Sequence, residues 1–302
     1  MRAVFFQAAR GCTVVMDAGE LACANCGAAG VAVQGDRPLC GACLEALILR
    51  KFRQTLRASR LPRGARIVVG HGASTCSTVL TELLARSVQS DDALSVTVVS
   101  AGDVPVQTMP RDWTHCSIPV RDDERQGLCG NDVFEWRRGR VLRELIDKAH
   151  YDNAVAVLLG DCSDRIACEM LSCIATKGRA LGAVERSQPL CDVDGIRVIR
   201  PMIHLTRQQI HAWCRHRGLA IREPDTGLSG VRQMTSEFLC RLQATFPACV
   251  SNIIRTSAKL ERPKSSTPCR RCFDPLPDSA STVCPACTHQ GIDLPMNTDD
   301  PR

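Results

Sequence analysis

Residues Val68-Val69-Gly70-His71-Gly72-Ala73-Ser74-Thr75-Cys76-Ser77 decide the fold. A β-branched run stops at a cluster of small residues, and a helix-compatible stretch follows over residues 77–88. A strand, a small-residue turn and a helix in that order present backbone N–H groups to an anion such as phosphate. Taken alone, such a turn is equally an ordinary βα connection. Further along, short apolar runs at 96–100, 154–160 and 196–199 alternate with amphipathic stretches at 133–149, 164–177 and 206–217. That alternation predicts parallel strands joined by helical crossovers. Gly218 predicts a helix C-cap, and the chain after residue 225 reads as helical to about residue 260, restarting at Pro247.

Upstream of the loop, residues 44–60 predict a helix with Leu44, Ile48, Phe52 and Leu56 on one face, stopped by Pro62 and Gly64. Arg50, Arg53, Arg57 and Arg60 fall on another face of the same wheel. From Arg50 to Arg66 there are seven basic residues and no acid, an electrostatic footprint suited to phosphate contacts. A solvated helix face is the alternative reading. A second basic segment runs through Arg255, Lys259, Arg262, Lys264, Arg270 and Arg271. Aromatic content is only 4%, so stacking on unpaired bases is poorly provided for, and shape and phosphate recognition of folded RNA fits better.

Four Cys-x-x-Cys pairs account for eight of the nineteen cysteines. Cys23, Cys26, Cys40 and Cys43 form one group of four, and Cys269, Cys272, Cys284 and Cys287 another. Paired thiolates two residues apart reach one tetrahedral ion, and a closed set of four leaves no position open for catalysis. Two structural zinc sites are expected, with an iron–sulfur cluster as the alternative occupant. This pattern suits metal binding in a reducing compartment rather than a secreted disulfide framework. No stretch approaches the roughly 18 apolar residues a membrane span needs.

The loop is similar to that of the N-type ATP pyrophosphatase superfamily, whose pattern is Ser-Gly-Gly-x-Asp-Ser after the first strand. Here the six positions read His71, Gly72, Ala73, Ser74, Thr75 and Cys76, followed by Ser77. Thr75 stands where the resemblance expects the magnesium-linked aspartate, which removes the main support for ATP binding. Lys51-Phe52-Arg53, Gly160-Asp161-Cys162-Ser163-Asp164-Arg165, Arg200-Pro201-Met202 and Ile254-Arg255-Thr256-Ser257-Ala258-Lys259-Leu260 follow in order between the two cysteine groups. The ordered set resembles the cytoplasmic tRNA 2-thiolation protein 2 family.

That resemblance implies an α/β, parallel-sheet PP-loop (adenine nucleotide alpha hydrolase-like) domain flanked by two zinc modules. It divides the chain into an extension (1–20), a zinc module (21–45), a basic helix and linker (46–65), the degenerate PP-loop domain (66–262) and a second zinc module with its tail (263–302). It also implies a cytoplasmic role in making 2-thiouridine at the tRNA wobble position. The partners implied are tRNA, a catalytic thiolase paralogue in a heterodimer, and a ubiquitin-related sulfur carrier. Active relatives resemble one another in a Cys-x-x-Cys before a Phe-Arg-Arg-like segment. At the matching place this chain reads Cys129-Gly130-Asn131-Asp132 ahead of Phe134, so the pair is broken and a non-catalytic subunit is expected. A self-sufficient sulfurtransferase and a protein-binding adaptor are the two alternatives. Cys76 and Cys162, both at expected helix starts, are candidates for a lowered thiol pKa, with inert burial the commoner state.

Overall fold

The computed structural model describes residues 5–8, 11–14, 22–34, 37–88, 94–102, 104, 106, 109–118, 131–177, 188–222, 230–259 and 282. The second cysteine group, Cys269 to Cys287, and Cys129 lie outside the described residues. Strands β1 (Phe5–Ala8) and β2 (Gly11–Val14) pair antiparallel, as do β3 (Ala32–Gln34) and β4 (Arg37–Leu39). Helix α1 (Gly41–Ala58) follows directly.

The body is a six-stranded sheet. Its strands are β5 (Arg66–His71), β6 (Ser95–Ala101), β7 (Thr114–Ile118), β8 (Ala156–Leu158), β9 (Leu190–Val193) and β10 (Ile196–Ile199). They lie in the order β7-β6-β5-β8-β10-β9, parallel except for β9, which pairs antiparallel with β10. Helices α2 (Thr75–Ser87), α3 (Asn131–Tyr151), α4 (Ser163–Lys177) and α5 (Arg207–Arg217) cover it. Helices α6 (Gly230–Thr245) and α7 (Cys249–Ser257) close the described chain.

Because successive side chains on a strand point to opposite faces, the apolar strands supply two cores. Ile67, Val69, Val98 and Leu158 join Leu44, Ile48 and Phe52 of α1, Leu80 and Leu84 of α2 and Trp213 of α5. Val68, Val99 and Val157 meet Leu145, Ile146 and Ala149 of α3 on the other face. A third cluster joins Ile166 of α4 to Leu239 of α6 and Val250 and Ile254 of α7. Cys23, Leu39 and Cys40 belong to the first core, so the N-terminal cysteine segment packs continuously with the sheet layer.

The four expected strands and the helices after them are present. Two sheet strands are additional to the sequence reading. Strand β7 reads Thr-His-Cys-Ser-Ile, a mostly polar edge strand without an apolar run. Strand β9 is joined to β10 through Asp194 (φ 48°) and Gly195 (φ 76°), both left-handed, as a two-residue hairpin turn requires.

Candidate functional site

In an open parallel sheet the crevice forms beyond the carboxyl ends of the strands where the order reverses. Here that place lies between β5 and β8, and the loops after them, 71–77 and 159–162, meet there. Ser74 is the N-cap of α2, its Oγ accepting from the Ser77 N–H at 3.3 Å. Glycine suits position 160, because a Cβ would lie a tight 3.0 Å from the Cys76 carbonyl oxygen. His71 turns away from the loop toward α2, with Nδ1 3.3 Å from Thr81 Oγ1. Burial, and then the neighbouring charge of His115, lower its pKa and favour the neutral ring.

The seat for an anion is taken by the chain itself. The Thr75 N–H donates to the carbonyl of Arg222 at 3.0 Å. Its hydroxyl donates to the same carbonyl at 2.7 Å and accepts from the Arg222 N–H at 2.8 Å. Thr75 is thus a clasp that holds the segment after α5 over the loop. Nothing in the sequence signalled Arg222.

Asp161, second in the other loop, is 4% exposed and ringed by guanidinium groups. Arg138 lies at 3.0 Å, Arg200 at 3.3 Å and Arg165 at 3.4 Å. Burial alone would raise its carboxyl pKa, but Arg138, Arg165 and Arg200 together hold it well below the usual carboxylate range. Arg138 also pairs with Glu169 of α4. Asp161 therefore acts as a tie between α3, α4 and the end of β10.

Cys76 and Cys162 stand at the same junction, on either side of the Gly160 contact. Interaction with Cys162, and then burial, pushes the Cys76 thiol well up, while interaction with Cys76 lowers Cys162 against its own burial.

The first cysteine group is brought together. Its four Sγ atoms all lie within 4.8 Å of one another, with Cys26 3.5 Å from Cys40 and 3.7 Å from Cys43. A tetrahedral ion bound at about 2.3 Å sets its sulfurs about 3.8 Å apart, so the donor set fits a single ion such as zinc. A four-iron cluster, with one thiolate per iron, holds its sulfurs farther apart. Cys40 is also the N-cap of α1, its Sγ accepting from the Cys43 N–H at 3.5 Å. Hydrogen bonds from backbone groups of Cys40 and Asn25 bring the Cys23 thiol down to about 6, whereas Cys43, bonded first to Cys40, is pushed up to about 12. Gly41 follows from packing, since a Cβ there would lie 2.2 Å from the His216 ring at the end of α5.

The arginine stripe is less regular than the helical wheel predicts. Arg50 and Arg57 are exposed, but Arg53 is half-buried and donates to the Arg86 carbonyl at 2.9 Å, serving the end of α2. Helix α1 stops at Ala58, so Arg60 lies beyond it, exposed in a left-handed turn (φ 50°). Arg255 and Lys259 are exposed at the end of α7, and Arg255 reaches Asn252.

Fold and site define a class: an α/β domain with a PP-loop-like parallel sheet, whose first-strand loop carries Thr75 and no carboxylate. The U34-tRNA thiolase NcsA from Methanococcus maripaludis, solved with its [4Fe-4S] cluster, superposes with a TM-score of 0.68 at 15% identity. The match covers 89% of this chain and 95% of that one. A family model described as cytoplasmic tRNA 2-thiolation protein 2 matches residues 230–298. The Oryza sativa subsp. indica protein of that name is 26% identical over 290 residues, which is 79% of this chain and 62% of the relative. Its Schizosaccharomyces pombe counterpart is 25% identical over 145 residues, 46% of this chain and 38% of the relative. Together these matches make the chain similar to cytoplasmic tRNA 2-thiolation protein 2, of whose matched relatives it spans less than two thirds of the length. Among the described residues no helix is long and apolar enough to cross a membrane.

Proposed function

We propose that this chain is the non-catalytic subunit of a cytoplasmic complex that makes 2-thiouridine at the tRNA wobble position. It pairs with a catalytic thiolase paralogue as a heterodimer and helps to hold the tRNA, while a thiocarboxylated ubiquitin-related protein supplies sulfur. The observation that carries this reading is the Thr75 clasp. The position that would hold the magnesium-linked carboxylate is a hydroxyl already bonded in both directions to the Arg222 backbone. The broken Cys129-to-Asp132 pair supports the same conclusion.

Cys23, Cys26, Cys40 and Cys43 would hold one zinc ion, and Cys269, Cys272, Cys284 and Cys287 of the 263–302 module a second. Zinc bound by four thiolates supplies stability and no reactive coordination position. The exposed Arg50, Arg57 and Arg60 flank the first module, and Arg255 and Lys259 precede the second, which supports phosphate contacts from both ends of the chain.

Co-expression with a thiolase paralogue that has the intact loop tests the proposal. The expected result is a stable heterodimer with about two zinc per copy of this chain. It should bind tRNA less tightly as salt rises, and this chain alone should show no ATP-dependent thiolation. ATP-dependent thiolation by this chain alone would overturn the non-catalytic role. Unaltered tRNA binding when this chain is omitted would overturn its part in holding tRNA.

A further inference from the structure

The chain's one tyrosine, Tyr151, ends α3 on the edge of the sheet opposite the crevice. Strands β5, β8 and β10 run parallel, so their first residues share that edge and their last residues lead to the crevice. Tyr151 is 82% exposed, and Lys148 Nζ stands over one face of its ring at 4.9 Å, leaving the other face to solvent. A single bare aromatic on a surface is ordinary. Its surroundings are not. Arg66 Nη1 donates to the carbonyl of Asp152, the residue after the tyrosine, at 3.1 Å, and the Arg66 carbonyl accepts from the Val155 N–H at 2.9 Å. Arg197, near the start of β10, donates to the Ser59 carbonyl at 2.7 Å and ties the end of α1 to the same edge. The basic run that begins on α1 is thereby delivered to the tyrosine. Arg57, Arg60, Arg63 and Arg66 are all exposed, and among the described residues none of the four has a carboxylate partner. The nearby acids are engaged elsewhere, Asp152 by Lys148 at 2.7 Å and Asp192 by Arg197 at 3.6 Å.

We infer that Tyr151 and the adjoining arginines form a contact for single-stranded RNA, in which an unpaired base stacks on the open face of the ring and its flanking phosphates lie on Arg63 and Arg66. Every base has a face that an aromatic ring can receive, and a basic run beside the ring follows the backbone. A base inside a paired helix is not free to stack in this way, so the occupant is a loop or an end of a folded RNA. The inference rests on the proposed hold on tRNA and names one place of contact. That place lies away from the crevice, where RNA is anchored without touching the loops after β5 and β8. Low aromatic content is no obstacle, since one ring serves one base.

The full chain is tested alone with oligouridylate and, co-expressed with the thiolase paralogue, with tRNA. Tyr151→Ala should weaken oligouridylate binding about 5-fold or more and leave its salt slope unchanged, and Tyr151→Phe should bind like wild type. Arg63→Gln should instead flatten the slope by about one unit. Because the ring is exposed, its replacement should leave the fold intact, which an unchanged melting temperature checks. With 5-iodouridine in the oligonucleotide, near-ultraviolet irradiation of the wild-type chain should attach it to the tryptic peptide 149–165, which holds the tyrosine. No binding of oligouridylate, or equal binding by wild type and Tyr151→Ala, overturns the inference. So does attachment instead to the peptides 233–241 and 242–255, which hold the exposed Phe238 and Phe246. A Tyr151→Ala chain that loses the paralogue and keeps its RNA also overturns it, since the face is then a protein contact. The two readings fail separately: tRNA binding indifferent to the presence of this chain removes the proposed hold on tRNA, while oligouridylate on the chain alone still decides the tyrosine.

Discussion

The starts of α1 and α2 are built alike and put to different ends. Each has an N-cap side chain that accepts a hydrogen bond from the backbone N–H three residues on: Cys40 Sγ from Cys43, and Ser74 Oγ from Ser77. At α1 the cap is also one of four converging thiols, and the positive end of the helix faces a site for a metal–thiolate centre. At α2 the cap leads to Thr75, whose polar groups are turned onto the protein's own backbone. A helix start supplies generic amide geometry. Its use depends on which side chain stands beside the cap.

The comparison breaks most severely at the metal. In Cys40→Ser the cap is retained, since serine is a good N-cap, and a ligand is lost. Metal content should drop by one ion. Hydrogen exchange over residues 22–45 should rise toward the unfolded rate, since metal binding in such modules is worth on the order of 10 kcal/mol. Ser74→Cys, the reciprocal change, should alter neither metal content nor fold.

Next in size is Asp161→Asn, which leaves Arg138 and Arg200 buried beside a neutral amide and should cost about 3–5 kcal/mol by denaturant melting. Because the folded-state pKa of Asp161 is depressed, its contribution is complete above the ordinary carboxylate value of about 4 and is lost as pH falls below it. The wild-type chain should therefore lose stability in that acid range, and the asparagine variant should lose less.

Thr75→Val removes the clasp's hydroxyl from both of its partners and should cost about 1–3 kcal/mol. Neither it nor Thr75→Asp should gain affinity for ATP by calorimetry, because Arg222 covers the amide that a phosphate would use. The smallest stability effect is expected for Arg50→Gln with Arg57→Gln, within about 0.5 kcal/mol of wild type. In that pair the salt dependence of tRNA binding should flatten by about one slope unit for each phosphate contact removed. Arg53→Gln inverts the pattern, costing stability at the end of α2 while leaving the salt slope nearly unchanged.

These contrasts also divide what was legible in the sequence from what was not. Apolar runs at β5, β6, β8 and β10 announce themselves because buried parallel strands must be apolar on both faces. The four N-terminal cysteines are legible because a ligand spacing is local. The clasp is not, since residues 75 and 222 are far apart in sequence and Thr75 bonds a backbone that carries no side-chain signature. The meeting of the loops after β5 and β8 is long-range as well, and only Gly160 hints that they come close. Arg53 and Arg60 left the stripe for reasons a helical wheel omits: one has a packing partner, and the other lies past the end of the helix.

The absent Cβ of Gly41 has a mechanical consequence. Cys40 is one of the four converging thiols, and the next residue rests against the His216 ring at the last turn of α5. Six residues beyond His216 the chain reaches Arg222 and fastens onto Thr75. The four-thiol group and the loop are thus joined through the short stretch 216–222 that runs on from the last turn of α5, so a change in how Gly41 packs is passed to the clasp over a few residues.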